Sequence, residues 1–238
     1  MTAGAELRSL VKLMGPRSRP ELSWVAQVVG CDREEAEDAT NELLGRAADI
    51  RSLSDRIART GRSYYAQFPA PFELYSMVRL VRPGNLVESG VASGVSSAFM
   101  LMGIKANRRG TLHSIDKPVP RKKGPGNESW AIPAGHSSGW AVPPALRRRW
   151  DLRLGRSEDV LEDLLGETGV LDFYCHDSPV DEAHLKFEME AIRPHLRSGS
   201  LVVSDNTGEI GTFDRLAKAM GTTSLRRRTS TLQAFRVP

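Results

Sequence analysis

Cysteine is scarce: Cys31 and Cys175 stand far apart and form no C-x-x-C pair. That excludes a disulfide scaffold and a cysteine-rich zinc site, and it makes a reducing cytoplasm the expected setting. Aromatic residues are few, at 6% of 238, and none interleave with basic residues as on a single-strand-binding face. No apolar run approaches the ~18 residues that span a bilayer, so a membrane-spanning protein is excluded. The start, MTAGAELRSLVKLMG, lacks the apolar stretch of a signal peptide. A phosphate-binding G-x-x-x-x-G-K-[ST] loop is also absent. The length suits one globular domain, with or without a helical appendage.

What charge there is has an uneven distribution. The net +4 lies wholly beyond residue 70, since residues 1–70 hold ten basic and ten acidic side chains. Much of the basic charge sits in short clusters: Arg108-Arg109, Lys117 with Arg121-Lys122-Lys123, Arg147-Arg148-Arg149 and Arg226-Arg227-Arg228. Such clusters read as solvated loops and helix ends, or as the mouth of a site for an anionic ligand.

Two regions follow from the patterning. Residues 1–70 read as helices: Asp32 is placed to cap a helix, and Ala36, Ala39, Leu43, Leu44 and Ala47 recur at helical spacing. They carry no His and show no chemistry, so a cap or an association surface between copies is expected there. Residues 71–238 alternate helix and strand, with strands expected at 85–88, 111–116, 150–154, 171–176 and 201–204 and a last one at 232–237. That alternation indicates a parallel sheet covered on both faces. Residues 117–143, rich in Pro, Gly, Ser and Trp, read as a long irregular insertion, a length usually reserved for function.

The first strand runs into Glu88-Ser-Gly90-Val-Ala-Ser93-Gly94-Val-Ser96, a glycine turn opening a helix. Glycines there allow a ligand close to the backbone. The spacing is not the dinucleotide G-x-G-x-x-G, and an acid at the strand end suits a cationic amino-acid group better than a pyrophosphate. Asp116, ending the second strand, is able to accept from a ribose diol. Together these features fit S-adenosylmethionine; a purely structural glycine turn is the alternative. Gly135-His-Ser137-Ser-Gly139 matches the G-x-S-x-G of serine hydrolases, but it lacks the flanking strand and helix that motif needs.

With these pieces in order over residues 72–220, the chain resembles the class I S-adenosylmethionine-dependent methyltransferases, in particular a small bacterial O-methyltransferase-like subgroup. The resemblance rests on V-E-S-G-V-A-S-G-V-S-S at 87–97, H-S-I-D-K-P at 113–118, G-W-A-V-P at 139–143, R-R-W-D-L-R-L-G-R-S-E-D-V-L at 148–161, D-F-Y-C-H-D-S at 172–178 and G-S-L-V-V-S-D-N at 199–206. It implies a Rossmann-like α/β sheet, mostly parallel with an antiparallel last strand, preceded by the N-terminal helical segment. Cofactor contacts are implied at Glu88, Gly90, Ser93, Gly94, Ser96, Asp116, Ser157 and Asp177. Trp140 is placed either against cofactor or substrate or in the core. His176 and Asp177 are the implied catalytic candidates. Asp177, Asp205 and Asn206 form an oxygen-only set suited to Mg²⁺ or another divalent cation, which would bind the acceptor oxygen.

One departure stands out. Relatives commonly read H-D-S-L-H-T-Y where this chain has His176-Asp-Ser-Pro-Val180-Asp181, so Val180 replaces a candidate base. His176, His184 or Asp181 compensates, or the base is absent. The expected activity is methylation of a small-molecule acceptor, on a sugar or natural-product hydroxyl, without membrane or nucleic acid as partner. The rivals are a methyltransferase acting on RNA or protein, and a non-catalytic cofactor-binding relative.

Overall fold

A computed structural model describes residues 20–60, 70–118, 132–133, 135–178, 181–205 and 211–238. The first helix, α1 (Leu22–Val29), ends where Gly30 adopts φ +75°. Asp32 then opens α2 (Arg33–Asn41) with a capping box: its carboxylate accepts from the Glu35 amide at 2.8 Å, and its own amide donates to the Glu35 carboxylate at 3.0 Å. A 3₁₀ turn (Glu42–Arg46) leads into α3 (Ala47–Ala58), which buries Ile50, Leu53 and Ile57.

Residues 70–238 build the sheet and its helices: α4 (Pro71–Val81), β1 (Asn85–Ser89), α5 (Val95–Asn107), β2 (Thr111–Asp116), β3 (Trp150–Leu154), α6 (Ser157–Thr168), β4 (Leu171–His176), α7 (Glu182–Ile192), β5 (Leu196–Ser204), α8 (Thr212–Ala219), β6 (Leu225–Arg226) and β7 (Gln233–Arg236). The strand order is β3-β2-β1-β4-β5-β7-β6. Strands β1 to β5 pair in parallel, and β7 runs antiparallel to β5 and to β6. The order reverses between β1 and β4, which opens a crevice at the carboxyl ends of those strands.

Strand periodicity sorts the core into two faces. Leu86, Phe173, Leu201 and Val203 join one cluster with Phe72, Leu74 and Phe99, and this cluster continues through Trp24, Leu43, Ile50 and Leu53. Val87, Tyr174 and Val202 face the other way, onto Leu161, Leu164, Leu185 and Phe213. Helix α5 is buried almost all round because α4 covers the side that the sheet leaves free. The N-terminal helices therefore share a continuous core with the sheet. The Trp24 indole donates to the Leu225 carbonyl at 2.9 Å, tying α1 to β6 as well.

The basic triplet at 226–228 departs from a solvated loop. Arg227 is fully buried, and its Nε donates to Glu73 on α4 at 2.7 Å, with Glu73 buried equally deeply. A run of three arginines hides this, since only the middle side chain turns inward. Strand β6, two residues long, likewise leaves no apolar run to read. No helix among the described residues is long and apolar enough to cross a membrane.

Candidate active site

Four carboxylates stand at consecutive strand ends around the crevice: Glu88 in β1, Asp116 ending β2, Asp177 just beyond β4 and Asp205 just beyond β5. The ladder persists past the strands, because Gly90 donates to the Ile115 carbonyl, Asp177 to the Ser89 carbonyl and Asp205 to the His176 carbonyl. Gly90 sits at φ +84°, and an ideal Cβ there would lie 2.1 Å from the Asp177 carbonyl oxygen. Only glycine lets these strand ends close up. Gly94, at φ +88°, opens α5 under Val142 and Gly139, which a Cβ would meet at 2.5 and 2.9 Å. Between them Ala92 holds a left-handed φ of 49°, rare for a residue with a side chain.

Glu88 lies beneath the glycine loop, fully buried. Its oxygens accept from Ser96 at 2.6 Å, Ser97 at 2.6 Å and Ser114 at 2.7 Å. Burial pushes its pKa up to about 7, against the pull of the three hydroxyls and with a small push from Asp116. Ser96 thus spends its hydroxyl on Glu88, and both residues support the loop from below. Ser93 is buried, and its carbonyl accepts from the Ala141 amide.

Asp116 faces the crevice from the other side. One oxygen accepts from the Val91 and Ala92 amides at 3.0 and 3.4 Å, and the other from the Ser138 hydroxyl. Ser138, not Ser137, is therefore the serine of the G-x-S-x-G stretch with a partner in the site. Residues 137–142 turn back onto the glycine loop. There the Gly139 amide donates to the Ala92 carbonyl at 2.8 Å, and the Ala141 amide to the Ser93 carbonyl at 3.0 Å. Trp140 is buried in this turn, edge-on to His136.

Asp177 is half-buried, and its pKa is raised well above the usual carboxylate range by burial and by the charges of Asp205, Glu88 and Asp116. Asp205 is buried and accepts from the Thr231 hydroxyl at 2.7 Å. Asn206 and Val180 lie outside the described residues. Among the described residues no cluster of three ligating side chains is assembled.

The remaining candidates gather around a residue that sequence reading passed over. Glu188, buried in α7, accepts from His176 Nδ1 at 2.6 Å, Tyr174 at 2.8 Å and Ser89 at 2.8 Å on one oxygen. Its other oxygen takes Ser178 at 3.2 Å and pairs with His184 Nε2 at 3.0 Å. Burial opposes ionisation of Glu188, but His176 and His184 hold its pKa well below the ordinary value, and Ser157 contributes. Ser157, one of the implied cofactor contacts, is thus buried near this carboxylate. His176 is fully buried, and Asp181 caps α7 through the His184 amide at 2.8 Å. A signal for Glu188 existed: it falls at helical spacing with Leu185, Met189 and Ile192, the buried stripe of α7.

Residues 87–207, just over half of the chain, match the model of a family described as a methyltransferase domain. The solved structures similar to it include apo CalS11, a TDP-rhamnose 3'-O-methyltransferase of calicheamicin biosynthesis. That match has TM-score 0.51 and 19% identity, covering 86% of this chain and 95% of that one. An O-methyltransferase from Bacillus cereus in complex with S-adenosylhomocysteine gives TM-score 0.51 and 14% identity, covering 90% and 96%. TomG from Streptomyces achromogenes, an O-methyltransferase of tomaymycin synthesis solved with S-adenosylmethionine, gives 0.52 and 16%, covering 79% and 90%. At these identities the likeness is one of fold. No curated protein matches the chain by sequence.

Proposed function

We propose, for a chain that belongs to the methyltransferase-domain family and is an S-adenosylmethionine-dependent methyltransferase, that its acceptor is a hydroxyl on a sugar or natural-product scaffold. The observation that carries this reading is the ring of carboxylates at the strand ends around a backbone closed up by Gly90. Burial first, and then the charges of Asp205, Glu88 and Asp116, raise the pKa of Asp177, so the crevice favours a cationic ligand. Similar folds include enzymes whose names place them on TDP-rhamnose and in tomaymycin synthesis, which supports a small hydroxylated acceptor.

S-adenosylmethionine, when bound, supplies a methyl group on a sulfonium. The chain's own residues position it and prepare the nucleophile. The Gly90–Gly94 backbone, with Ser93 beside it and Ser96 and Glu88 below, receives the amino-acid end, and Asp116 takes the ribose hydroxyls. Asp177 takes the acceptor's proton as the new O–C bond forms and the S–C bond breaks. His176 has no exposed surface and gives Nδ1 to Glu188, so Asp177 is the better placed of the two catalytic candidates.

A divalent cation is the second part of the reading, favoured by the mutual repulsion of Asp177 and Asp205. In that case Asp177 and Asp205, with Asn206 next in the sequence, would hold the ion instead of Asp177 serving as the base, and the ion would bind the acceptor oxygen and lower its pKa. Loss of activity in EDTA with recovery in Mg²⁺ supports the ion; activity untouched by EDTA removes it. The function itself is tested by incubating the protein with methyl-labelled S-adenosylmethionine and a panel of sugars, nucleotide sugars, RNA and proteins. Label in a methyl ether of a small molecule is the expected result, and label only in RNA or protein would contradict it.

A further inference from the structure

Arg56 belongs to the N-terminal helical segment, which the sequence marks as free of chemistry. In α3 it stands three residues after Leu53 and one before Ile57, on the flank that packs into the core. From there its guanidinium reaches the Trp140 carbonyl, with Nη2 at 2.6 Å and Nε at 3.1 Å. A second guanidinium grips the same turn: Arg147 donates to the Gly139 carbonyl at 3.0 Å and the Val142 carbonyl at 3.2 Å, above the Trp150 ring. The outward carbonyls of residues 139, 140 and 142 are thus held by two cations, and the inward amides of residues 139 and 141 by the glycine loop.

We propose that Arg56 is a positioning residue for cofactor binding, holding the Trp140 carbonyl so that the 137–142 turn stays seated on the glycine loop and Ser138 stays on the Asp116 carboxylate. The inference rests on the cofactor reading above and adds to it that affinity depends on the N-terminal segment. The geometry is specific. Gly94 leaves no slack between turn and loop, since a Cβ there would meet Val142 at 2.5 Å and Gly139 Cα at 2.9 Å, while Gly139 packs on its other side against Trp150 of β3, which a Cβ would meet at 2.1 Å. Ala92, in its left-handed conformation, is fixed from both sides by the Asp116 carboxylate and the Gly139 amide. A turn released at Trp140 frees the two elements that would set the ribose carboxylate and the loop backbone.

The test is calorimetric titration of S-adenosylhomocysteine into the full-length protein and its variants. Arg56→Ala is expected to weaken binding about tenfold, the size of one lost charge-assisted hydrogen bond. Arg56→Lys, which keeps a cationic donor, is expected to restore most of it. In a Ser138→Ala background the Arg56→Ala effect is expected to shrink to about twofold, because both act through one turn. Amide exchange gives a local readout that general destabilisation would not produce: Gly139 and Ala141 exchange faster in Arg56→Ala, while β1 and β4 stay protected. Equal or tighter binding by Arg56→Ala overturns the proposal, as do unchanged exchange at Gly139 and Ala141 or full additivity with Ser138→Ala. Should Arg56→Ala fail to fold, the wild type decides: S-adenosylhomocysteine must slow exchange of those two amides, and no slowing overturns the inference. A wild type that binds no S-adenosylhomocysteine defeats the cofactor reading itself, a different result from binding that ignores Arg56.

Discussion

The carbonyl oxygen of Asp177 fills the space a side chain on Gly90 would need, 2.1 Å from its ideal Cβ. The contact joins β1 to β4 at the point where strand order reverses, so the crevice depends on it. Gly90→Ala must part the strand ends and also places a side chain at φ +84°. The expected cost is about 3 kcal/mol or more from left-handed strain and overpacking together. Thermal melting checks it; a variant as stable as wild type would show that the strand ends move apart freely.

Glu88 makes the wild type lose stability as pH rises. Its folded pKa of about 7 lies above the unfolded value of 4.5, so the folded state binds more protons between those limits. Its contribution is most favourable below pH 4.5 and is lost as pH rises to 7, by up to about 3 kcal/mol. Glu88→Gln removes this dependence. The melting temperature of the variant relative to wild type is expected to climb between pH 4.5 and 7; a constant difference contradicts the burial argument.

Arg227 and Glu73 form a buried pair, so breaking one side leaves a buried charge. Arg227→Ala is expected to cost ~3–5 kcal/mol, a fall in melting temperature of about 10 °C for a chain of this size. The double replacement Arg227→Met with Glu73→Leu is expected to recover much of the loss. A neutral Arg227→Ala would show that the pair is open to solvent.

His184 reports on the Glu188 network. Its pKa is raised to about 9, first by the hydrogen bond to Glu188 and further by Glu158, against the effect of burial. The stability it contributes is complete below its unfolded pKa of 6.5 and is lost as pH rises through 9. Histidine resonances followed by NMR are expected to show a late titration in wild type. In Glu188→Gln that titration moves toward the ordinary value; an unmoved titration would remove Glu188 as its cause.

The strands 111–116, 150–154 and 171–176 were legible to the residue because each sets apolar residues among polar ones over a strand's length, between helical stretches. The acids at the strand ends were legible because topology places such residues at the crevice whatever the loops do. Their partners were not. Whether Glu88 faces a ligand or three hydroxyls depends on Ser114 arriving from another strand, and Arg227 looks identical to its exposed neighbours until α4 supplies Glu73. Arg56 reads as one more charge on a helix because its acceptor lies 84 residues away. Long-range pairing, which local patterns do not encode, decides each of these cases. Glu188 is different, since its place in the apolar stripe of α7 was visible in the sequence.

The most direct measurement is titration of S-adenosylhomocysteine into the wild type and Asp116→Ala, followed by calorimetry. The wild type is expected to bind one ligand per chain saturably, and the variant to lose at least about tenfold in affinity, since the ribose acceptor is gone. Heat of dilution alone from the wild type, or equal affinity in Asp116→Ala, would contradict this.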